Sequence, residues 1–80
     1  MATTITVTER IVSSDSVIAN GREVPVKFPS TIEAFLVAQG LLPRSVVVEL
    51  NGEAVAPSDF AACQLGAGDK LEIVKIVAGG

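Results

Sequence analysis

The sequence predicts an α+β domain in which one main helix packs on one face of a mixed, four- to five-stranded sheet. Two Asn-Gly pairs, at 20–21 and 51–52, lie among apolar, β-branched residues. Asn-Gly tolerates the positive φ angles of a type I′ turn and is the strongest short hairpin signal. Between the two pairs, residues 31–39 carry apolar side chains at helical spacing. A single helix in this position can cover only one face of a sheet.

The first hairpin is predicted to contain strands at about 16–20 and 22–28. Pro25 lies within the second of these strands. Because proline has no N–H to donate to a neighbouring strand, Pro25 should face an open sheet edge or lie at a bulge.

The helix is predicted over about 31–39. Ser30 followed by Glu33 matches a capping box at its start. Gly40 is well placed as a left-handed stop at its end. The helix is short and needs a sheet to pack on. Its predicted apolar stripe consists of Ile32, Phe35 and Leu36.

The second half of the chain predicts three more strands. The β-branched residues 46–48 favour a strand, Val55 begins the return after the second Asn-Gly, and residues 70–77 form the last strand. Residues 57–63 suit a short helical turn with Phe60 in the core. The right-handed crossover rule favours first and last strands that lie side by side and parallel. That arrangement is the β-grasp, or ubiquitin-like, fold.

Residues 1–14 do not fit this plan. They contain apolar residues in weak alternation, so they could add an edge strand, but a mobile arm is the favoured interpretation. We therefore divide the chain into an N-terminal extension at 1–14, a β-grasp domain at 15–77 and a C-terminal tail at 78–80.

The composition excludes several classes of function. An apolar fraction of 49% is too high for a disordered chain. Nine acidic and six basic residues give a net charge of −3, and phosphate binding needs clustered lysine and arginine, so we expect no nucleic-acid partner. With no histidine and one cysteine, the chain lacks the usual general base and a zinc-type ligand set. We expect neither a metal site nor catalysis by this chain alone.

The sequence also bears on location. No apolar run approaches the ~20 residues needed to span a bilayer, and the first ten residues do not have the basic and apolar pattern of a signal peptide. A single cysteine cannot form an internal disulfide, which fits a reducing compartment. We expect a cytoplasmic protein with no membrane partner.

The last strand is followed by Ala78, Gly79 and Gly80. A C-terminal carboxylate is a poor electrophile and must be activated, most simply as an acyl-adenylate, before a nucleophile can attack it. A folded body cannot enter an ATP pocket, whereas three extended residues without bulky side chains reach ~10 Å into one. A functional tail is therefore favoured over a frayed end with accidental glycines.

An ordered set of short motifs carries a family resemblance over Ser16 to Gly80, most of the chain. The set is Leu50-Asn51-Gly52-Glu53, Val55, Phe60, Leu65, Gly68-Asp69, Glu72-Ile73-Val74 and Gly79-Gly80. With these residues the chain resembles the thiamine-pathway sulfur carrier proteins (ThiS-type) of the ubiquitin-like β-grasp superfamily. It departs from them in the N-terminal extension and in Ala78, where such proteins commonly have glycine.

The resemblance implies a mechanism centred on Gly80. An adenylating, E1-like enzyme would activate the Gly80 carboxylate with ATP, and sulfur delivered through a cysteine desulfurase would convert it to a thiocarboxylate. The carrier would then donate this sulfur to thiazole synthase. In this scheme the chain is a protein cosubstrate rather than an enzyme, binds no cofactor itself, and uses Ala78 and Gly79 as its flexible tail.

Alternation in the last strand predicts a docking patch. If Leu71 and Ile73 face the helix, Val74 and Ile76 lie on the uncovered sheet face beside the tail. Exposed apolar residues in that place would bind a partner. The alternative is that the N-terminal arm covers them or that they merely line a strand.

Other candidate reactive groups have simpler interpretations. Cys63 lies in the apolar stretch FAACQLG, without a nearby cation, so we expect a small buried hydrophobe rather than a sulfur-carrying thiol. Asp59 and Asp69 fit turns, and Glu72 fits an exposed strand face, rather than an acid pair or a metal site.

Three other functions remain open. The small subunit of molybdopterin synthase has the same fold and tail, but that family often has prolines shortly before the terminal glycines and EIVKIVAGG has none. A ubiquitin-like modifier joined to lysines of target proteins would use the same terminus. A plain binding module would have accidental glycines.

Overall fold

The computed structural model describes residues 15–77, which form a five-stranded mixed sheet with one α-helix. The sheet order is β2-β1-β7-β4-β5, and the central β1–β7 pair is parallel. This is the predicted β-grasp arrangement. In chain order the elements are β1 (Ser16–Ala19), β2 (Arg22–Pro25), β3 (Ser30–Thr31), α1 (Ile32–Ala38), β4 (Val46–Leu50), β5 (Glu53–Val55), β6 (Gln64–Leu65) and β7 (Lys70–Lys75).

Both Asn-Gly pairs form the predicted hairpin turns. Asn20 and Gly21 have φ angles of 51° and 82°, and Asn51 and Gly52 have φ angles of 52° and 89°. Two consecutive positive φ angles define the type I′ turn, whose twist matches that of the flanking strands.

The two asparagine side chains also hold β7 in the sheet. Ile73 N donates to Asn20 Oδ1 at 2.7 Å, and Asn20 Nδ2 donates to the Ile73 carbonyl at 3.0 Å. At the other end of β7, Lys70 N donates to Asn51 Oδ1 at 2.9 Å. Each side-chain amide therefore makes the hydrogen bonds to β7 that a strand backbone would make, at a point where the hairpin backbone turns away.

Pro25 lies on the open edge of the sheet, as predicted. Within residues 15–77, β2 is an edge strand. Its residue Val24 lies opposite Val17 of β1, and Val26, just after β2, donates from its N–H to the Asp15 carbonyl at 2.8 Å. Main-chain groups alternate along a strand, so those of Pro25 point away from β1. The missing N–H therefore removes no hydrogen bond between β2 and β1, and it discourages pairing of this edge with another strand.

The predicted capping box at Ser30 and Glu33 is wrong by one residue. The N-cap is Thr31, whose hydroxyl accepts from Ala34 N at 3.0 Å. Ser30 and Thr31 are both extended in β3, opposite Leu65 and Gln64 of β6. The last extended residue before the helix is therefore Thr31, and the helix spans Ile32–Ala38 rather than 31–39.

The helix ends in a Schellman motif at the predicted glycine. Gly40 has φ 76°, Leu41 N donates to the Leu36 carbonyl at 2.9 Å, and Gly40 N donates to the Val37 carbonyl at 2.9 Å. Two of the last helical carbonyls are thereby satisfied before the chain returns to the sheet.

A single core lies between the helix and one face of the sheet. Phe60, at the end of the Pro57–Asp59 3-10 turn, is only 2% exposed and fills this core as predicted. The three predicted stripe residues of the helix are buried as well. The core consists of Val17, Val26, Ile32, Phe35, Leu36, Val46, Val48, Phe60, Leu65 and Leu71.

Several strand ends were predicted too long. β1 ends at Ala19 because Asn20 already belongs to the turn, β2 ends at Pro25 rather than at residue 28, and β7 ends at Lys75 rather than at residue 77. The two-stranded β3–β6 sheet was missed, since each strand has only two residues and no pattern of its own.

Candidate functional site

The last described residues, 76 and 77, continue from β7 at the centre of the sheet. β7 lies between β1 and β4, and the following residue, Ile76, still donates from its N–H to the Ser45 carbonyl at 2.8 Å. Val77 is the last described residue and is 83% exposed. The predicted tail residues Ala78, Gly79 and Gly80 lie outside the described residues, so their role stays a prediction.

Alternating side chains of β7 divide between the two faces of the sheet. Leu71 is buried and Ile73 packs against the core. Val74 and Ile76 point the other way and are 62% and 55% exposed. The sheet therefore presents apolar side chains on its uncovered face within a few residues of the tail, although partner binding by Val74 and Ile76 remains a prediction.

Val47 belongs to the same surface, and the sequence reasoning missed it. It lies directly opposite Val74 on β4 and is 50% exposed. Alternation within residues 46–48 is the signal that could have found it, because Val46 and Val48 are both buried. We call Val47, Val74 and Ile76 the apolar strip.

Acidic side chains border the apolar strip. Glu49 of β4 lies directly opposite Glu72 of β7, and both are exposed. Like charges at directly opposed positions destabilise a sheet. The uncovered face thus combines apolar surface with negative charge, and it complements a partner surface that carries apolar and basic groups.

The other candidate groups have structural surroundings. Cys63 is partly buried and packs against the core, as expected of a small hydrophobe. The Asp69 carboxylate accepts from Gly66 N at 2.7 Å and from Asn51 Nδ2 at 3.1 Å, which is the predicted turn chemistry. Asp59 lies in the Pro57–Asp59 turn and is exposed. Within residues 15–77, no group of three histidine, cysteine or acidic residues is placed to hold a metal ion.

The one α-helix of the described region, Ile32–Ala38, is far too short to cross a membrane.

The ThiS family model matches residues 14–80 of the sequence, which is most of the chain and includes the terminal glycines. The chain belongs to the ThiS family. This confirms the resemblance seen in the ordered motifs of the sequence.

Solved structures agree with ThiS membership. The crystal structure of a thiamine biosynthesis protein (ThiS) from Geobacter metallireducens is 28% identical, has a TM-score of 0.69, and covers 81% of this chain and 99% of its own. The NMR solution structure of a thiamine biosynthesis protein from the same organism, also 28% identical, has a TM-score of 0.65 and covers 81% of this chain and 87% of its own. These ThiS neighbours share the β-grasp fold described above.

A curated relative is a much longer protein. The thiazole synthase of Paramagnetospirillum magneticum (strain ATCC 700264 / AMB-1) is 41% identical over 63 residues, which are 79% of this ThiS-family chain but 19% of that protein. The chain thus spans about a fifth of the length of the relative it matches.

Proposed function

We propose that this chain is a thiamine-pathway sulfur carrier whose C-terminal Gly80 carboxylate is converted to a thiocarboxylate. The observation that carries the proposal is the family match, which continues through residue 80 and so includes both terminal glycines. The known structures of thiamine biosynthesis proteins that share its fold support the same pathway.

The proposed chemistry takes place on the terminal carboxylate. An adenylating, E1-like enzyme would join the Gly80 carboxylate to the AMP part of ATP and release pyrophosphate. The persulfide formed on a cysteine desulfurase would then attack the acyl carbon and displace AMP. A thiol, such as excess cysteine, would reduce the resulting acyl disulfide to the thiocarboxylate and would itself be oxidised to a disulfide. The chain itself is a protein cosubstrate in this scheme and not an enzyme, and ATP binds to the activating enzyme rather than to the carrier. The scheme needs ATP for adenylation and a thiol reductant for the release of the thiocarboxylate, so we propose a cytoplasmic location.

The proposed acceptor of the sulfur is thiazole synthase. Support comes from the Paramagnetospirillum protein of that name, which contains a segment 41% identical to this chain. Joining a carrier and its acceptor in one polypeptide raises their effective concentration, which benefits proteins that meet in every cycle.

The apolar strip is the proposed docking surface for these enzymes. Two of its three residues, Val74 and Ile76, lie on the segment of chain that leads into the tail, so a partner that binds them also fixes the start of the tail. The four residues after Ile76 span ~14 Å at most. A catalytic centre about that far from the docked sheet would receive Gly80, while the body of the carrier stays outside.

The test is the intact mass of the protein after incubation with ATP, an adenylating enzyme, a cysteine desulfurase and cysteine. We expect a gain equal to replacement of one oxygen by sulfur, located in the C-terminal peptide. A chain that lacks Gly80 should show no gain, and Cys63→Ser should load normally. Loss of loading in a folded Cys63→Ser protein would contradict the proposal. No gain in the parent protein, with enzymes active on another carrier, would favour a ubiquitin-like modifier or a passive binding module.

A further inference from the structure

A second surface feature lies beside the helix, and of the apolar strip only Val74 borders it. It is a groove of about 630 Å³ between the C-terminal half of α1 and the ends of β1, β2 and β7. Its floor is apolar and rests on the core. The floor residues are Ala19, Val24, Phe35, Leu41 and Ile73.

One wall of the groove is an open strand edge. β1 ends at Ala19, and the Asn20 side chain makes the last hydrogen bonds to β7, at Ile73. Among the described residues, none pairs with β7 on that side between Ile73 and its end at Lys75. On the β4 side, Ile76 N bonds to Ser45, so alternation turns the N–H and C=O of Lys75 towards the open side. The edge therefore offers one main-chain donor and one acceptor to a further strand.

The rim of the groove is positively charged. Arg22 and Lys75 both line it, and no acidic residue does. Within residues 15–77, neither cation takes part in an ion pair. This local charge is opposite to that of the whole chain, which carries nine acidic and six basic residues.

We propose that this groove binds an extended, acidic and apolar segment of a partner protein, which adds to β7 as a short strand beside Lys75. The open main-chain groups at Lys75 select an extended partner backbone. The apolar floor accepts every second side chain of the partner segment. The two unpaired cations, Arg22 and Lys75, select carboxylates at the remaining positions of that segment. A small anion would satisfy the cations but would leave both the floor and the strand edge uncovered.

This surface shares only Val74 with the proposed docking face. The rest of the apolar strip lies outside the groove and has acidic neighbours, so it suits a basic partner surface. The two surfaces therefore fit partners of opposite charge. Binding at the groove requires no chemistry at Gly80, and it can be measured on the unloaded chain even if the sulfur-carrier proposal fails.

The experiment is a titration of the full-length ¹⁵N-labelled chain with an end-blocked heptapeptide of alternating valine and aspartate, followed by amide chemical shifts. We expect saturable shifts that centre on Asn20, Gln39 and Lys75, with affinity falling as salt is added. The double variant Arg22→Glu, Lys75→Glu should bind at least about tenfold more weakly. The matched control Lys27→Glu, Lys70→Glu has the same net charge but alters exposed cations outside the groove, and it should bind as the parent does.

A second peptide tests strand addition. Two versions of the same heptapeptide carry N-methyl groups on either the odd or the even amides, which keeps the charges but blocks hydrogen bonding along one edge. One of the two versions should bind about tenfold or more weakly. Equal weakening by the two double variants would overturn the proposal in favour of general charge attraction. Unchanged affinity of both N-methylated versions, or shifts that centre on Val47 and Glu49, which lie outside the groove, would overturn it too.

Discussion

The Asn20 side chain offers a quantitative test of how the central strand is held. Its two hydrogen bonds to Ile73, at 2.7 and 3.0 Å, are partly exposed to solvent, and neutral hydrogen bonds contribute about 0.5–1.5 kcal/mol each. Asn20→Gly removes both bonds but keeps a residue that adopts φ 51° without strain. Because both bonds are exposed, each should contribute only about 0.5–1 kcal/mol, and we expect the free energy of unfolding to fall by about 1–2 kcal/mol.

Asn20→Ala separates the backbone contribution from the side-chain contribution. Alanine loses the same two bonds and must also adopt a left-handed conformation, which costs roughly 1–2 kcal/mol more. The free energy of unfolding from urea denaturation should thus be highest for the parent, lower for Asn20→Gly and lowest for Asn20→Ala. In thermal denaturation, each step should lower the melting temperature by about 4–16 °C. If Asn20→Gly is as stable as the parent, the side chain does not hold β7 and the reasoning is refuted.

Four further outcomes are expected. Phe60→Ala should destabilise the fold by about 3–5 kcal/mol in chemical denaturation, because it empties a core position, and a loss below about 1 kcal/mol would contradict the placement of Phe60. Gly40→Ala should cost about 1 kcal/mol, because alanine is strained at φ 76°, and an unchanged melting temperature would argue against the helix stop. Glu49→Lys should stabilise the fold by about 0.2–1 kcal/mol, since it replaces a like-charged pair by an opposite one, while slowing sulfur loading. Val74→Ser should remain folded yet raise the KM of the adenylating enzyme for the carrier about tenfold, with little change in kcat; a lowered kcat at constant KM would place Val74 outside the docking surface.

The features that the sequence predicted well depend on neighbouring residues. Each Asn-Gly turn needs only two residues that accept positive φ angles, and both formed as predicted. Gly40 marks the helix end for the same reason. The buried stripe of the helix follows from spacing within one turn, and the core placement of Phe60 follows from a large aromatic residue beside a short turn.

The features that the sequence did not predict depend on distant residues. Ser30 has a good local signal for an N-cap, but β3 continues through Thr31, which pairs with Gln64, so the last extended residue and the cap are Thr31. Val47 joins the apolar strip only through its register with Val74. The open edge at Lys75 exists because β1 stops short of the end of β7, and strand lengths of this kind are not encoded near Lys75 itself. The roles of Val74, Ile76 and the tail stay predictions.

The position of β7 also determines how the molecule bears mechanical load. A partner that draws the tail into a narrow channel pulls along the axis of β7, which is bonded to parallel β1 on one side and to antiparallel β4 through five residue pairs on the other. Such a pull shears all these bonds at once, whereas a pull on an edge hairpin would unzip its bonds one after another. The last strand is thus the element most resistant to a pull along its axis. A force on the tail should move the whole domain before it separates β7 from the sheet.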